Sequence, residues 1–337
     1  TIVERAGLSG LYSLELGGGN SLQAGFSALR DDARLGANAT QADFFQGGMW
    51  PSLRLSSHAV FAQALLPTVF ADFTLGARYE KTSASGSALE PRLAVTKVLD
   101  RWHFKLLWAG AFRSPILGNF AYNPNLEPER TRTLEAEVGL RTGANGLLTL
   151  NAYHNSIHKP IVYQADPLTG IQSYYNAMHL ETQGIELEYH LKAEWGFANA
   201  GFGLVRPREN GVEVFQVPGN SAAIVAVPGA QASLLVSFKM GSHWSLVPSA
   251  MYMSPRHGYG VGTVAGPTVV KTYPAMLLLN GNLRWQADPV ALRGWNASLG
   301  VFDLLNERPP YLQAYNGGHP GLPGPSREIV LRFGYGF

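Results

Sequence analysis

The chain of 337 residues contains no cysteine, which excludes disulfide bonds and thiolate metal sites. It also lacks any apolar run of the roughly 18 residues that a membrane-spanning helix needs, and its mean hydropathy is only -0.03. Positive and negative charges nearly balance at a formal net charge of +2, so charge gives no argument for a nucleic-acid partner. The start, Thr1–Arg5, has neither the basic residues nor the apolar core of a signal peptide, and we therefore expect a processed chain or part of a longer one.

Motifs of enzymes are missing as well. The chain carries no G-x-S-x-G, no H-E-x-x-H and no phosphate-binding loop. We therefore predict that it is not an enzyme and that it holds no cofactor.

The last nine residues alternate between large apolar and smaller or polar side chains, which is the period of a strand with one apolar face. The apolar face carries Ile329, Leu331, Phe333, Tyr335 and Phe337. Arg332 lies on the opposite face, which we expect to be wet. A strand with an apolar outside, a wet inside and a terminal Phe is similar to the last strand of an outer-membrane β-barrel. We expect Phe333, Tyr335 and Phe337 to form its insertion signal, and the alternative is the edge strand of a soluble sandwich.

Similar alternation recurs along the chain and predicts about fifteen strands with no competing long helix. They span 6–16, 20–30, 56–66, 69–82, 90–99, 102–113, 131–142, 147–163, 172–191, 196–206, 228–239, 244–254, 269–286, 295–305 and 326–337. The predicted fold is all-β, a transmembrane antiparallel β-barrel that occupies residues 1–337 as one domain.

Two kinds of connection alternate between these strands. Short turns such as Gly17–Gly19 and 240–242 are followed by long segments such as 31–55, 114–130 and 207–227. Outer-membrane barrels have short periplasmic turns and long external loops. Counting back from a periplasmic C-terminus places every long segment outside, so we predict a location in the bacterial outer membrane.

Carboxylates occupy alternate positions in two of the predicted strands, at Glu135 and Glu137 and again at Glu186 and Glu188. Charged groups at such positions cannot face lipid cheaply, so we expect these four to face the lumen. The alternatives are the solvated face of a soluble sheet and an acid–base pair, and the i, i+2 spacing on separate strands favours a lumen lining.

An odd strand count is unusual, because bacterial single-chain barrels have an even number of strands. Several segments, in order, resemble the C-terminal part of a TonB-dependent receptor barrel. The most specific is Asn123–Glu129, which is similar to the family's "NPnLkPE". The others are Ser57–Gln63 with Thr74–Glu80 ("ayfaQ … l-GlRye"), Glu90–Ala94 ("sPRlal"), Gly110–Pro115 ("gFRaP"), Asn176 with Gln183–Glu188 ("N … GiElE") and, loosely, Leu299–Asn306.

The resemblance implies the last fifteen or so strands of a 22-stranded barrel with a plugged lumen. The plug and the TonB-binding segment are not in this chain. The implied function is import of a scarce nutrient such as a metal–siderophore complex, captured by external loops and released through gated passage. The implied partners are outer-membrane lipid, the TonB complex through a plug segment, the barrel assembly machinery and a small-molecule cargo. Two alternatives stay open: a plugless, porin-like passive channel and a structural surface barrel in a larger assembly.

Two prolines impose extended or turn geometry on Asn123–Glu129. We expect Arg113, Glu127 and Glu129 to pair against the lumen or the plug, although ordinary solvation of loop charges is the alternative. For cargo contact we select residues of the predicted external loops, whose rings and cations suit a flat or anionic ligand. They are Phe120, Tyr122, Tyr174, Arg256, His257, Tyr259, Tyr311 and Tyr315, with Phe44, Phe45, Trp50, Tyr175 and His319 as further candidates. The alternative for each ring is the aromatic girdle of the membrane interface.

The sequence predicts no metal site. Met251, Met253 and His257 form a weak copper candidate, since thioethers and imidazole suit copper, but methionine also fills apolar surfaces. His154 and His158 share a strand face, but no third ligand is apparent, which argues against zinc.

Overall fold

The computed structural model describes residues 2–34, 52–166, 169–260, 269–288, 293–315 and 320–336. Fifteen long strands form one antiparallel sheet, here called the wall. They are β1 (Ile2–Gly17), β2 (Asn20–Arg34), β3 (Ser52–Pro67), β4 (Asp72–Thr82), β5 (Gly86–Leu99), β6 (Trp102–Arg113), β7 (Glu129–Arg141), β8 (Gly146–His158), β11 (His179–Ala193), β12 (Gly196–Asn210), β15 (Ala230–Met240), β16 (Trp244–Met253), β19 (Met276–Asp288), β20 (Arg293–Phe302) and β21 (Glu328–Gly336).

Six shorter strands form hairpins in the connections between wall strands. They are β9 (Ile161–Ala165) with β10 (Gln172–Asn176), β13 (Gln216–Val217) with β14 (Asn220–Ile224), and β17 (Arg256–Gly260) with β18 (Val269–Tyr273). One short helix, α1 (Leu117–Tyr122), and a 3-10 turn at Glu213–Phe215 complete the described elements. None of the helices in the described ranges has the length and apolar character needed to cross a membrane.

Each wall strand pairs with the wall strands that precede and follow it in the chain, and β1 and β21 lie at the two edges. The predicted all-β, antiparallel architecture is therefore confirmed. Every predicted strand overlaps one wall strand, and 102–113 coincides with β6.

The register of β20 and β21 shows why the C-terminal pattern alternates. Leu299 faces Leu331, and Trp295 faces Tyr335 with ring centroids 5.2 Å apart. Phe333 is 72% exposed on this face, while Arg332 pairs with Ser298 on the other face. A continuous apolar surface of this kind marks contact with lipid or protein rather than water, so we refer to it as the outward face. The predicted insertion residue Phe337 lies outside the described residues.

The opposite, inner face carries ion pairs between neighbouring strands. Glu135 lies 3.6 Å from Lys105, and Glu137 lies 2.9 Å from His103. The Thr133 hydroxyl donates to the Asn155 side chain at 2.8 Å. Lys105 is directly opposite Glu137, and directly opposite residues share a face. Since the exposed Leu134 and Val138 occupy the alternate positions, the carboxylates of β7 are on the inner side of the wall.

Connections at the two ends of the wall differ in length. At one end the turns are short, and Gly17, Gly18 and Asp100 adopt the positive φ angles that tight turns require. At the other end lie the described parts of the connections 114–128, 159–178, 211–229, 254–275 and 303–327, and among the described connections 83–85 is the short exception. We call this the loop end.

Three predicted strands extend too far, and these boundaries are wrong. The strand predicted at 147–163 crosses the positive-φ residue Lys159 into β9, and the one at 172–191 joins β10 to β11. The strand predicted at 269–286 joins β18 to β19 across Pro274. Loop hairpins alternate as wall strands do, so periodicity alone could not separate them.

Candidate ligand-binding site

The segment Asn123–Glu129 is fastened to the β9–β10 hairpin by two asparagines. The Asn176 side chain accepts from the Glu127 N–H at 2.8 Å and donates to the Glu127 and Lys159 carbonyls at 2.9 and 3.0 Å. The Asn123 amide donates to the Tyr174 carbonyl at 2.8 Å. These bonds satisfy backbone groups that the prolines leave without secondary-structure partners, and they fix the loop against the hairpin.

The charged residues of this region form two separate pairs rather than one network. Arg113 lies 2.7 Å from Glu129, and Glu129 also accepts from the Ile161 N–H at 3.0 Å. Glu127 pairs with Lys159 instead, and this hydrogen bond holds the pKa of the Glu127 carboxyl below its usual range. Arg113 and Glu129 are on the inner face, whereas Glu127 is at the exposed rim.

A small hydrophobic core joins the β9–β10 hairpin to the segment 211–229. Its buried members are Val162, Ala177, Leu180, Val212, Val214 and Ile224. Tyr259, from the β17–β18 hairpin, donates its hydroxyl to the Val214 carbonyl at 2.9 Å. Three neighbouring loops therefore pack as one layer, which we call the loop layer.

Tyr175 borders this core, and its hydroxyl finds no hydrogen-bond partner among the described residues. Burial raises the pKa of Tyr175 to about 12, and the nearby charge of Glu213 adds to the shift. The neutral phenol is thus favoured in the folded loop layer. Because the folded pKa is higher than the unfolded value of about 10, the neutral Tyr175 phenol contributes its full stabilisation below about pH 10. That stabilisation is lost as the pH rises through the folded pKa of about 12.

An alkaline titration followed by absorbance at 295 nm should detect this group. Subtracting the titration of Tyr175→Phe from that of the wild-type protein is expected to leave a step near pH 12, since the folded pKa is about 12. A difference step near pH 10 would show that Tyr175 is exposed to water and that the packing described here is wrong.

Four tyrosines gather at the loop end. Tyr163 and Tyr174 face each other across the hairpin with ring centroids 4.7 Å apart, and Tyr122 from α1 meets both rings edge-on at 5.8 Å. Tyr315 stacks on Tyr163 at 5.3 Å. We call these four the tyrosine cluster.

Tyr315 belongs to a distant connection. It follows β20, and four wall strands separate β20 from β11, which is about 24 Å along a sheet with strands spaced at about 4.8 Å. The β9–β10 hairpin and the connection after β20 therefore meet above the lumen that the curved sheet surrounds. The tyrosine cluster lies where the loops meet.

Arg256 is the most deeply placed cation of the loop layer and is 8% exposed. Its Nη2 donates to the Met276 sulfur at 3.2 Å, and its Nε has no partner among the described residues. Burial lowers the pKa of Arg256. A buried guanidinium with an unused donor is suited to an anionic oxygen.

The structure brings some of the residues selected from the sequence together and separates others. Tyr122, Tyr174 and Tyr315 meet in the tyrosine cluster, whereas Phe120 is only 5% exposed and packs inside the loop. Tyr311 is 60% exposed and forms a β-bridge to Leu322. Phe44, Phe45, Trp50 and His319 lie outside the described residues.

The copper candidates occupy two places. Met251 and Met253 line an inner-face recess of about 320 Å³ together with Glu186 and Glu188. His257 lies in the β17–β18 hairpin, where Nδ1 is 3.1 Å from the Thr272 hydroxyl.

Sequence reasoning missed Tyr163, the ring at the centre of the tyrosine cluster. The predicted strand 147–163 ends on Tyr163, although Pro160, two residues after His158, signals a break before it. A hairpin reading of 161–176 would have set Tyr163 opposite Tyr174.

Comparison with known proteins identifies the class. Residues 4–304 match the model of the family described as TonB dependent receptor-like, beta-barrel. The chain belongs to this family of outer-membrane proteins. No curated protein matches the sequence.

Solved structures of the same architecture include the siderophore receptor PirA of Acinetobacter baumannii (TM-score 0.75, 14% identity, 99% of this chain and 55% of that chain). A mutant of the ferric enterobactin receptor PfeA of Pseudomonas aeruginosa in complex with enterobactin is also similar (TM-score 0.75, 14% identity, 98% of this chain and 54% of that chain). The FrpB iron transporter of Neisseria meningitidis is similar as well (TM-score 0.72, 15% identity, 99% of this chain and 56% of that chain). This chain therefore spans about half the length of the structures it matches, and at these identities the similarity shows the fold.

Proposed function

We propose that this chain forms the barrel wall and external loops of an outer-membrane receptor that imports an iron–siderophore complex. Family membership and the iron and siderophore receptors among its structural neighbours support this function. The observation that carries it is the tyrosine cluster, which gathers rings from three loops over the mouth of the wall.

The chemistry of the tyrosine cluster and of the loop layer suits such a cargo. Tyrosine rings offer flat apolar faces with a polar edge, which fit the planar chelating groups of a siderophore. Ferric chelates are often anionic, and the buried guanidinium of Arg256 adds a positive charge to the loop layer that would attract such a ligand.

Family membership supports the remaining partners of this proposal. In this proposal the charged inner face contacts a plug, and the TonB complex acts through that plug to release cargo. Outer-membrane lipid covers the outward face, and the barrel assembly machinery recognises the C-terminal strand with Phe333 and Tyr335. Inner-face pairs such as Lys105–Glu135 and His103–Glu137, and the recess with Glu186 and Glu188, would then line the contact with the plug.

The proposal is tested in the complete receptor by replacing Tyr163 and Tyr174 together with Ala. We expect the affinity for the cognate ferric chelate, found by screening ferric catecholates and hydroxamates, to fall by about 10–100-fold, since a few aromatic anchors usually dominate binding. Binding is measured by intrinsic fluorescence and uptake by ⁵⁵Fe accumulation under iron limitation.

Tyr79→Ala is the matched control, because Tyr79 is 44% exposed and pairs with Val60 on the outward face. Equal affinity in the cluster variant and the control would refute a role of the tyrosine cluster. Uptake that never saturates, with ion conductance through the purified receptor, would favour a passive channel instead.

A further inference from the structure

Two histidines and two glutamates meet on the outward face, near the loop end of β8, β11 and β12. The His179 Nε2 lies 3.0 Å from Glu181 Oε1 and 4.0 Å from Glu209 Oε2. The His154 Nε2 lies 3.9 Å from Glu181 Oε2. Donor atoms of His179, Glu181 and Glu209 all lie within 4.8 Å of one another.

Strand register explains the convergence. His179 and Glu181 are two residues apart on β11 and so share a face. His154 of β8 is opposite Gln183, one diagonal step from Glu181. A bulge between Glu181 and Thr182 sets Glu209 of β12 directly opposite Glu181.

We propose that these four side chains form a binding site for a divalent transition-metal ion, with Zn²⁺ as the best fit. Imidazole nitrogens and carboxylate oxygens bind Zn²⁺ at about 2.0–2.2 Å, which places tetrahedral donors about 3.3–3.6 Å apart. The separations of 3.0, 3.9 and 4.0 Å bracket this value, so small side-chain adjustments suffice.

The position of this site distinguishes it from the tyrosine cluster. Its residues share the outward face with Ile185 and Leu187, and none of them belongs to the tyrosine cluster. The His179 carbonyl accepts from the Gly211 N–H at 2.8 Å, at the base of the segment 211–229. A bound ion would therefore join the ends of three strands, β8, β11 and β12, beneath the loop layer.

The Arg208 side chain competes with a bound metal ion for the Glu181 carboxylate. Its Nε lies 3.6 Å from Glu181 Oε2, so the guanidinium shares the carboxylate that the ion needs. Removing this positive charge should strengthen metal binding, whereas removing a ligand should weaken it. Non-specific adsorption of metal ions would not produce both of these opposite changes in affinity, so together they identify binding at this site.

The experiment titrates Zn²⁺ alone into the complete receptor, purified in detergent, against a chromophoric chelator, and records the visible spectrum with Co²⁺. Wild-type protein is expected to bind one ion per chain with the intense bands of tetrahedral Co²⁺. His179→Ala and Glu181→Gln are expected to lower the affinity at least tenfold, and Arg208→Gln to raise it.

His103→Ala is the matched control. His103 and Glu137 form a similar pair at 2.9 Å, but the described residues supply no third donor there, so Zn²⁺ binding should be unchanged. Wild-type affinity in His179→Ala, or equal competition by Ca²⁺, would overturn the zinc assignment. Because the assay contains no siderophore, its failure and that of the proposed uptake function are distinguishable.

Discussion

Leu150→Arg is expected to destabilise the folded barrel by about 2–4 kcal/mol, the cost of a cation on the lipid face near the bilayer midplane. Leu150 is 48% exposed on the outward face, between Val138 of β7 and Leu187 of β11. All three are within the apolar part of their strands, so the new guanidinium would have no water within easy reach. Urea-induced unfolding in lipid vesicles, followed by tryptophan fluorescence, measures the free energy.

The adjacent residue provides the control. Thr149 points to the inner face, where it is opposite Glu188. Thr149→Arg should therefore cost less than about 1 kcal/mol, since the cation gains a carboxylate in a polar environment. If both variants lose the same stability, the two faces of β8 have been assigned incorrectly.

Asn176→Ala is expected to detach the segment Asn123–Glu129 from the β9–β10 hairpin. Three hydrogen bonds are lost at about 0.5–1.5 kcal/mol each, and the backbone groups they satisfy are left without partners. Tyr122 precedes the segment Asn123–Glu129 on one side of this contact and Tyr174 belongs to the hairpin on the other, so loss of the contact should separate the two rings. Cargo affinity should therefore fall at least tenfold although no ring has been removed.

Hydrogen–deuterium exchange checks the cause of that loss. The Glu127 amide should exchange faster in Asn176→Ala while the wall strands keep their protection. Asn125→Ala is the control in the same segment, because Asn125 donates from its backbone N–H to the Asn123 side chain and the substitution keeps that donor. Unchanged exchange at Glu127 would show that the asparagine does not hold the loop.

Strand alternation in the sequence was enough to predict the wall. Outward residues such as Leu331 and Phe333 need lipid, and inner residues such as Glu135 need water or partners, so the two faces separate at every second position. The same signal could not show where a strand leaves the wall. Lys159 and Ala177 end such runs, and the chain alternates on both sides of them.

The candidate sites depend on contacts that sequence spacing does not encode. Tyr315 was selected as a loop aromatic, but its stacking on Tyr163 arises from how two distant loops fold over the mouth. The sequence shows no third ligand beside His154 and His158 and so argues against zinc there. The partners now proposed for His154 come from β11 and β12, and a bulge decides which of their residues face it.

The strictly sequential strand order has a consequence for how such a wall can change in size. Every wall strand neighbours its predecessor, so a hairpin such as β15–β16 could be removed and β12 rejoined to β19 without reversing any other strand. Removing one strand alone would reverse the direction of every later strand, so the short turns that follow would move to the loop end and the long connections to the opposite end. The hairpin is therefore the natural unit by which walls of this kind gain or lose circumference.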